Sequence, residues 1–591
     1  MSEQIFERIK QRLHKLYPLE QAKDTYQELN RLIQICGIET QKNNEQWTQQ
    51  DVVLISYGDS LLNSDTSDAP LKVLQQFLNT QVKDVINTLH ILPFFPYSSD
   101  DGFSVIDYVK VDPDLGDWSD VAAISQGYRL MVDLVINHIS RESLWFTDYK
   151  ADVAPFNQFF IEMPRDADVS QVVRPRNSPL LVPAYTHRGR KYVWATFSAD
   201  QIDLNFENPA VLIKMIEVLL FYIKQKTHIL RLDAIAFLWK KLGTDCIHLP
   251  QTHEVVKLIR DVFELVSPSA LVLTETNVPH TENLSYFGEG DEAHMVYQFS
   301  LAPLVLHALY RANGSYLTRW AQQLSPPPSG CTFLNFTASH DGIGLRPVEG
   351  ILPEHEIQEL INGMHRQGGY VSMRSRPDGS ESPYEINIAL FSAFREIAGS
   401  LDPDQWQVER FICSQMIMLT LQGIPALYIH SLLATVNDQT GVERTGRTRS
   451  INRRKWEMSQ LQPLLDAENS PNARVLKRLI SVLKKRKKHK AFHPDSAQKV
   501  LDVGADFFVV WRGLGELDFP LLAVFNLTNQ VKTLEYPFEQ ANEIHQDWVD
   551  LLEKKVHPLN QQPLSLQPYQ VLWLMPAQVN NINPLWAMQT A

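Results

Sequence analysis

Three carboxylates occupy positions that suit the chemistry of a glycosidic bond. Asp233 and Glu275 each end an apolar run, and Asp341 follows His340 shortly after another. A carboxylate at the tip of a buried strand is costly to desolvate unless it is paired or takes part in a reaction. Cleavage with retention needs a carboxylate nucleophile and, roughly 5 Å away, a second carboxyl group that protonates the leaving oxygen. Together, the three side chains indicate glycoside chemistry.

Each of the three carboxylates can be given a role. We expect Asp233 to be the nucleophile and Glu275 the acid/base, whose pKa must be raised in a closed site. Arg231, two residues before Asp233, points to the same side of a strand and can keep that carboxylate ionised. Asp341 would favour the positively charged transition state. An isolated Arg-x-Asp pair is more often a structural ion pair, but the combination in this order favours catalysis.

The elements that must position these side chains are short apolar runs that alternate with helical stretches. One such stretch is Pro209–Lys224, which opens with Asn208 as cap and proline in its first turn. Eight strands alternating with helices predict a (β/α)8 barrel, which places chemistry at the C-terminal ends of its strands. The predicted strands are 52–57, 88–94, 130–137, 229–234, 271–275, 295–299, 332–337 and 426–430.

Length and patterning divide the chain into several units. At 591 residues it is too long for one ordinary core. We expect a helical extension over residues 1–50, the barrel over 51–490 and a small antiparallel β domain over 491–591. Two long intervals, 139–206 and 342–400, follow the third and seventh strands. We predict that both are lids over the active site.

Composition excludes several classes of protein. The net charge of -13 argues against nucleic acid as a partner, because phosphate binding rewards surplus lysine and arginine. The N-terminus lacks an apolar signal core, and the most apolar helix candidate is too short to span a membrane. We therefore expect a cytoplasmic protein. The cysteines are too widely spaced for a disulfide framework or zinc site: Cys36, Cys246, Cys331 and Cys413.

Four segments resemble, in order, the four sequence regions of the α-amylase superfamily, glycoside hydrolase family 13. They are residues 133–138, 231–234, 275 and 339–341. The resemblance runs through the whole predicted barrel and assigns Asp233, Glu275 and Asp341 the same roles as above. It further implies that His138 and His340 contact the hydroxyls of a glucosyl unit.

Further segments resemble the sucrose phosphorylase subfamily, in which phosphate rather than water attacks the glucosyl-enzyme and releases α-glucose 1-phosphate. These are residues 100–103, 197–201, 243–246, 340–344 and 449–453. The similarity implies that a closed pocket for one glucosyl unit is lined by Asp100, Phe103, Phe197, Gln201 and Arg449. By the same similarity, Arg449 and Asp100 would bind the hydroxyl groups at the far end of the glucosyl unit. It also implies that Arg176, in Arg174-Pro175-Arg176, contacts phosphate with Tyr384.

Departures from the sucrose enzymes lie around the leaving group. This chain has Phe237 in place of a tyrosine, Asn277 in place of a histidine, and Glu385 in place of a glutamine. Segments 274–280, 291–299 and 382–387 instead resemble the glucosylglycerate phosphorylases. That resemblance implies 2-O-α-D-glucosyl-D-glycerate as substrate and acceptor-binding roles for Asn277 and Glu385. The glycerate carboxylate would need a cation, for which the first lid offers Arg174, Arg176, Arg188 and Arg190.

Other interpretations stay open from the sequence. The same chemistry could act on glucosylglycerol, sucrose or sucrose 6-phosphate, or the chain could be a glucoside hydrolase or transglucosylase. A catalytically inactive barrel used as a binding subunit is a further alternative, although all three carboxylates are present. We expect no cofactor and no metal, because carboxylates and arginine supply the charge. The expected partners are a sugar glycoside and inorganic phosphate, and the protein could be a monomer or a homodimer.

Overall fold

A computed structural model describes most of the chain. The described residues are 2–38, 46–375, 380–398, 405–513, 520–534, 547–558 and 563–577. The segment Pro377-Asp378-Gly379, whose composition predicts a turn in the second insertion, lies outside them.

Eight parallel strands close into a barrel, which confirms the predicted fold. Neighbouring strands follow one another in chain order, and the eighth pairs with the first. Every strand ends one to three residues before its predicted end, because the chain turns into the loops at that face of the barrel. The strands are β1 (Val53–Ser56), β2 (Thr88–Ile91), β3 (Arg129–Leu134), β4 (Thr227–Leu232), β5 (Leu271–Thr274), β6 (Met295–Tyr297), β7 (Thr332–Phe336) and β8 (Ile424–Tyr428).

Helices surround the barrel and bury its outer face. The predicted helix Pro209–Lys224 is present with the predicted boundaries, and the side chain of Asn208 accepts a hydrogen bond from the amide of Ala210 at 3.0 Å. This cap satisfies one of the free N–H groups of the first turn. The main helices after the strands are Pro70–Phe77, Trp118–Ser125, Pro209–Lys224, Pro250–Val266, His280–Leu284, Leu301–Arg311, Ser315–Gln323, Gln407–Thr420, Met458–Asp466 and Pro471–Arg486.

The N-terminal extension forms two helices, α1 (Ser2–Leu16) and α2 (Leu19–Cys36). Helix α1 buries an apolar stripe that includes Ile9 and Leu13. It packs against Pro250–Val266, where Arg12 forms an ion pair with Asp261 at 2.7 Å. The extension is therefore joined to the barrel by apolar and ionic contacts.

Both long insertions have secondary structure of their own. The first contains the helix Leu144–Lys150 and the strands His138–Ser140, Glu162–Met163, Leu181–Thr186, Gly189–Trp194 and Gln201–Asp203. The second contains Ile343–Gly344, Tyr370–Ser375 and Glu381–Asn387 in one antiparallel sheet, with the helices Glu354–Arg366 and Leu390–Ala393. Their role as lids, and the predicted domain boundaries, stay predictions.

Toward the C-terminus the strands become antiparallel, as predicted. Six of them form one sheet with a separate buried apolar cluster. They are Gln498–Leu501, Phe507–Arg512, Leu521–Asn526, Trp548–Asp550, Val556–His557 and Val571–Pro576. Over the whole described part of the chain, no helix combines the length and apolar character needed to cross a membrane.

Candidate active site

Asp233 and Glu275 stand side by side at the ends of adjacent strands. Leu232 of β4 pairs with Thr274 of β5, so each carboxylate is the first residue beyond its strand. The amide of Ala234 donates to a Glu275 carboxylate oxygen at 3.0 Å, which fixes the glutamate beside the loop that carries Asp233. Both side chains line the same cavity. The arrangement required for a nucleophile and an acid/base is therefore available.

Arg231 lies directly beneath Asp233 and is almost fully buried. Its guanidinium donates to Asp233 at 2.7 Å and also bonds to Asp133, so it points to the side that the sequence predicts. Asp133 is itself buried against His90, with 2.6 Å between Nε2 and the carboxylate. The second partner of Arg231 is a feature that sequence reasoning missed. In the sequence, this contact is indicated only by the position of Asp133 on the neighbouring strand, opposite Arg231.

Asp233 and Glu275 form a coupled pair of carboxyl groups. Burial raises the pKa of Asp233, with Arg231 opposing the shift and Glu275 adding to it. Burial also raises the pKa of Glu275; Arg231 opposes that shift and the Asp341 charge adds to it. Two neighbouring carboxylates in such a site hold one proton between them. The guanidinium bonds directly to Asp233, and this contact favours the ionised form of Asp233 and the protonated form of Glu275.

Asp341 is held ionised by an arginine that it shares with a second carboxylate. Burial works against ionisation, but the charge of Arg449, 2.6 Å away, keeps the pKa of Asp341 well below its usual range. Arg449 also forms two parallel hydrogen bonds of 2.8 Å with buried Glu385. The Arg449 guanidinium thus bonds to Asp341 and Glu385. Asp100 instead lies 3.9 Å from the guanidinium of Arg453.

Aromatic rings form the wall of the cavity beside Asp341. Phe103 stacks on His340 with 4.8 Å between ring centroids and 4° between planes. His138 Nε2 lies 2.9 Å from the Phe103 carbonyl oxygen, and Gln201 donates to the same oxygen at 3.2 Å. Burial lowers the pKa of both histidines, which favours neutral rings. Phe197 packs against His138 at 5.2 Å.

One of the four arginines that the sequence offers for the acceptor carboxylate lies at the cavity. Arg176 lines the cavity, 5.4 Å from the centre of the Tyr384 ring. The other three arginines are engaged elsewhere. Arg174 bonds to a backbone carbonyl, Arg188 forms ion pairs within the first insertion, and Arg190 lies over two tyrosine rings.

Most of the predicted site residues thus meet in a single cavity. Arg231 and Glu385 are the exceptions, since each stands behind a lining side chain. The lining residues that the sequence predicted are Asp100, Phe103, His138, Arg176, Phe197, Gln201, Asp233, Glu275, Asn277, His340, Asp341, Tyr384 and Arg449. Residues that sequence reasoning missed include Thr276 and Val278, whose only signal was their position beside Glu275 and Asn277.

A buried ammonium group bonds to the side chains of Asn137 and Asp203. Lys240 Nζ lies 2.6 Å from the Asn137 side-chain oxygen and 2.7 Å from an Asp203 oxygen, and it is almost fully buried. The lysine therefore supplies the positive charge that balances the buried Asp203 carboxylate. Among the described residues, no cluster of histidine, cysteine and carboxylate side chains suits a metal ion.

Comparison with known proteins agrees with this geometry. Residues 82–323 match the alpha amylase catalytic domain family. A glucosylglycerate phosphorylase of Spirochaeta thermophila is 41% identical over 584 residues, 96% of this chain and 98% of that protein. The chain belongs to the α-amylase superfamily, in the glucosylglycerate phosphorylase branch.

Two more comparisons support this placement. The Escherichia coli glucosylglycerate phosphorylase is 40% identical over 90% of this chain and 93% of its own length. Among solved structures, the sucrose 6F-phosphate phosphorylase of Thermoanaerobacter thermosaccharolyticum superposes with a TM-score of 0.71. It is 22% identical and covers 89% of this chain and all of that one. That structure supports the barrel fold of this α-amylase superfamily member, and the sequence relatives support its branch.

Proposed function

We propose that the protein is a retaining phosphorylase that cleaves 2-O-α-D-glucosyl-D-glycerate with inorganic phosphate to α-D-glucose 1-phosphate and D-glycerate. The observation that carries this proposal is its relation to the glucosylglycerate phosphorylases over nearly the whole chain. The joint cavity of Asp233, Glu275 and Asp341 supports it. We further propose a cytoplasmic location, which the four unpaired cysteines support.

The first half-reaction transfers the glucosyl unit to the enzyme. An Asp233 carboxylate oxygen attacks the anomeric carbon while the bond from that carbon to the glycerate oxygen breaks. Glu275 gives its proton to the departing oxygen. Asp341, kept anionic by Arg449, stabilises the positive charge that builds on the sugar ring. The products of this step are D-glycerate and a glucosyl ester of Asp233.

The second half-reaction uses the same groups in reverse. An oxygen of hydrogen phosphate attacks the anomeric carbon, the bond to Asp233 breaks, and the phosphate proton passes to the Glu275 carboxylate, which restores the acid for the next cycle. Two inversions at the same carbon give the α configuration of the product. The cavity must therefore accept glycerate and phosphate in turn.

Arg176 is our choice for the cation that binds these two anions. It is the arginine of the first insertion that lines the cavity, and its guanidinium lies over the Tyr384 ring. A planar guanidinium can bind a carboxylate or a phosphate through two parallel hydrogen bonds. We assign Asn277, which lines the same cavity, to the glycerate hydroxyls.

A substrate panel tests the proposal. Purified enzyme is given glucosylglycerate, glucosylglycerol, sucrose or sucrose 6-phosphate, with and without phosphate, and glucose 1-phosphate is measured. We expect the highest kcat/KM for glucosylglycerate and strict dependence on phosphate. Equal or better turnover of glucosylglycerol would contradict the substrate assignment, and release of free glucose at the same rate without phosphate would indicate a hydrolase.

A further inference from the structure

One carboxylate outside the cavity collects hydrogen bonds from three serines of a single loop. Asp200 Oδ2 accepts from the hydroxyl of Ser98 at 2.6 Å, from that of Ser104 at 2.7 Å, and also from Ser99. The three donors come from residues 98–104, after β2. The acceptor lies about a hundred residues later, in the first insertion.

The two segments that meet at Asp200 carry one side of the glucosyl pocket. Residues 98–104 bring Asp100 and Phe103 to the cavity, and residues 197–201 bring Phe197 and Gln201. Asp200 is not among the lining residues. Its three hydrogen bonds therefore join the two halves of this wall from behind.

The 98–104 loop has a backbone conformation that needs support from outside. Asp100 and Asp101 have φ of 54° and 48°, in the left-handed region that costs a non-glycine residue on the order of 1–3 kcal/mol. Gly102 follows with φ of 108°, and a Cβ there would lie 2.4 Å from the Pro93 carbonyl oxygen. Arg453 bonds to Asp101 at 2.6 Å. The serine hydroxyls attach the loop on its Asp200 side.

Asp200 suits this task because an ionised carboxylate accepts several hydrogen bonds and donates none. Burial alone would raise the pKa of Asp200, but the hydroxyls of Ser98, Ser99 and Ser104 bring it below its usual value. The group is thus an anion at neutral pH, and each hydroxyl bond to it is charge-assisted.

We propose that Asp200 is a positioning residue for the reaction. It holds the 98–104 loop against residues 197–201, and thereby keeps Asp100, Phe103 and Gln201 in the arrangement that receives the glucosyl unit. The inference rests on the proposed function for its substrate, but it concerns the glucosyl pocket and not the acceptor. Glucosyl recognition should depend on Asp200, and phosphate binding at Arg176 should not.

The test compares Asp200→Asn with Asp168→Asn, which removes one charge from an exposed position of the same insertion. Misplacing reacting groups by about 1 Å can cost 100-fold in rate. We expect Asp200→Asn to lower kcat/KM for the glucoside by about 10- to 100-fold with the KM for phosphate unchanged. Affinity for 1-deoxynojirimycin, a glucose-shaped cation, should fall in calorimetry. Asp168→Asn should behave as wild type in each measurement.

A double-mutant cycle separates positioning from simple stabilisation. Ser99→Ala removes one donor and should weaken deoxynojirimycin binding by about tenfold alone, but should add nothing in the Asp200→Asn background. If Asp200→Asn fails to fold, the proposal is tested with Ser99→Ala alone, through its kcat/KM for the glucoside and its affinity for deoxynojirimycin. A lower melting temperature with unchanged kinetics and unchanged affinity would overturn the proposal. Failure of the wild type to phosphorolyse glucosylglycerate would refute the substrate instead, because the inhibitor measurement does not depend on it.

Discussion

Replacement of Glu275 by glutamine isolates the proton that we propose this side chain delivers. Glutamine keeps the shape of the side chain, and its carbonyl oxygen can still accept from the Ala234 amide. The pocket is therefore preserved, and the variant loses the acidic proton. Glycerate needs that proton as it leaves, whereas fluoride leaves α-D-glucosyl fluoride without one.

The expected magnitude follows from the size of general acid catalysis. A positioned acid contributes about 100- to 10,000-fold, which corresponds to about 3–5 kcal/mol in the activation free energy. We expect Glu275→Gln to lose this factor with glucosylglycerate. With glucosyl fluoride, the formation of the glucosyl-enzyme should remain close to the wild-type rate.

The pH dependence of the same variant provides a second readout. The proposed acid role makes the protonated form of Glu275 the active form, and burial raises the pKa of this carboxyl. Wild-type turnover of glucosylglycerate should therefore persist above the usual pKa of a glutamic acid and decline as pH rises through the raised value. This alkaline decline should be absent from Glu275→Gln.

The assay follows both donors in a stopped-flow or quench instrument, with released glycerate or fluoride as the signal. Equal losses with the two donors would refute the assignment of Glu275 as the acid, because the defect would then not depend on the leaving group. Unchanged turnover of glucosylglycerate would refute it as well.

Two further predictions concern stability, measured by urea unfolding. Lys240→Met should lower the free energy of unfolding by about 3–5 kcal/mol, because it leaves buried Asp203 without its cation. The matched control is Lys241→Met, at an exposed position. In a separate assay, EDTA should leave the activity of the wild type intact. A loss equal to that of the control would contradict this account. Arg12→Ala should lower the free energy of unfolding by about 2 kcal/mol. The loss is moderate because Arg8 still pairs with Asp261. A native-like stability would show that helix α1 does not depend on this ion pair.

The barrel was predictable because its signals are local. Each strand is a short run of apolar residues that is buried on both faces, as in β1 and β7, and each run shows in the sequence itself. Strand ends were less certain, because the chain leaves the barrel through irregular turns such as Ala234, whose φ is 50°. The sequence therefore predicts Asp233 within the strand, whereas in the structure the strand ends one residue earlier, at Leu232.

The candidate site was predictable in its residue types and less so in its pairings. Arg231 and Asp233 are two residues apart on one extended segment, so their contact follows from the alternation of side chains. The bonds of Arg449 to Glu385, 64 residues away, do not follow from any local pattern. The resemblance to the sucrose phosphorylases implied only that Arg449, with Asp100, contacts hydroxyls of the sugar, and this stays a prediction.

The carboxylates at the strand ends can be located from the chain alone, because hydrophobic periodicity and strand order are properties of neighbouring residues. The bonding partner of each carboxylate depends on the folded structure. Lys240 meets Asn137 across 103 positions of the chain, and Asp200 meets Ser98 across 102. Such contacts depend on how loops of different strands pack over the barrel, and packing of distant segments leaves no regular spacing in the sequence.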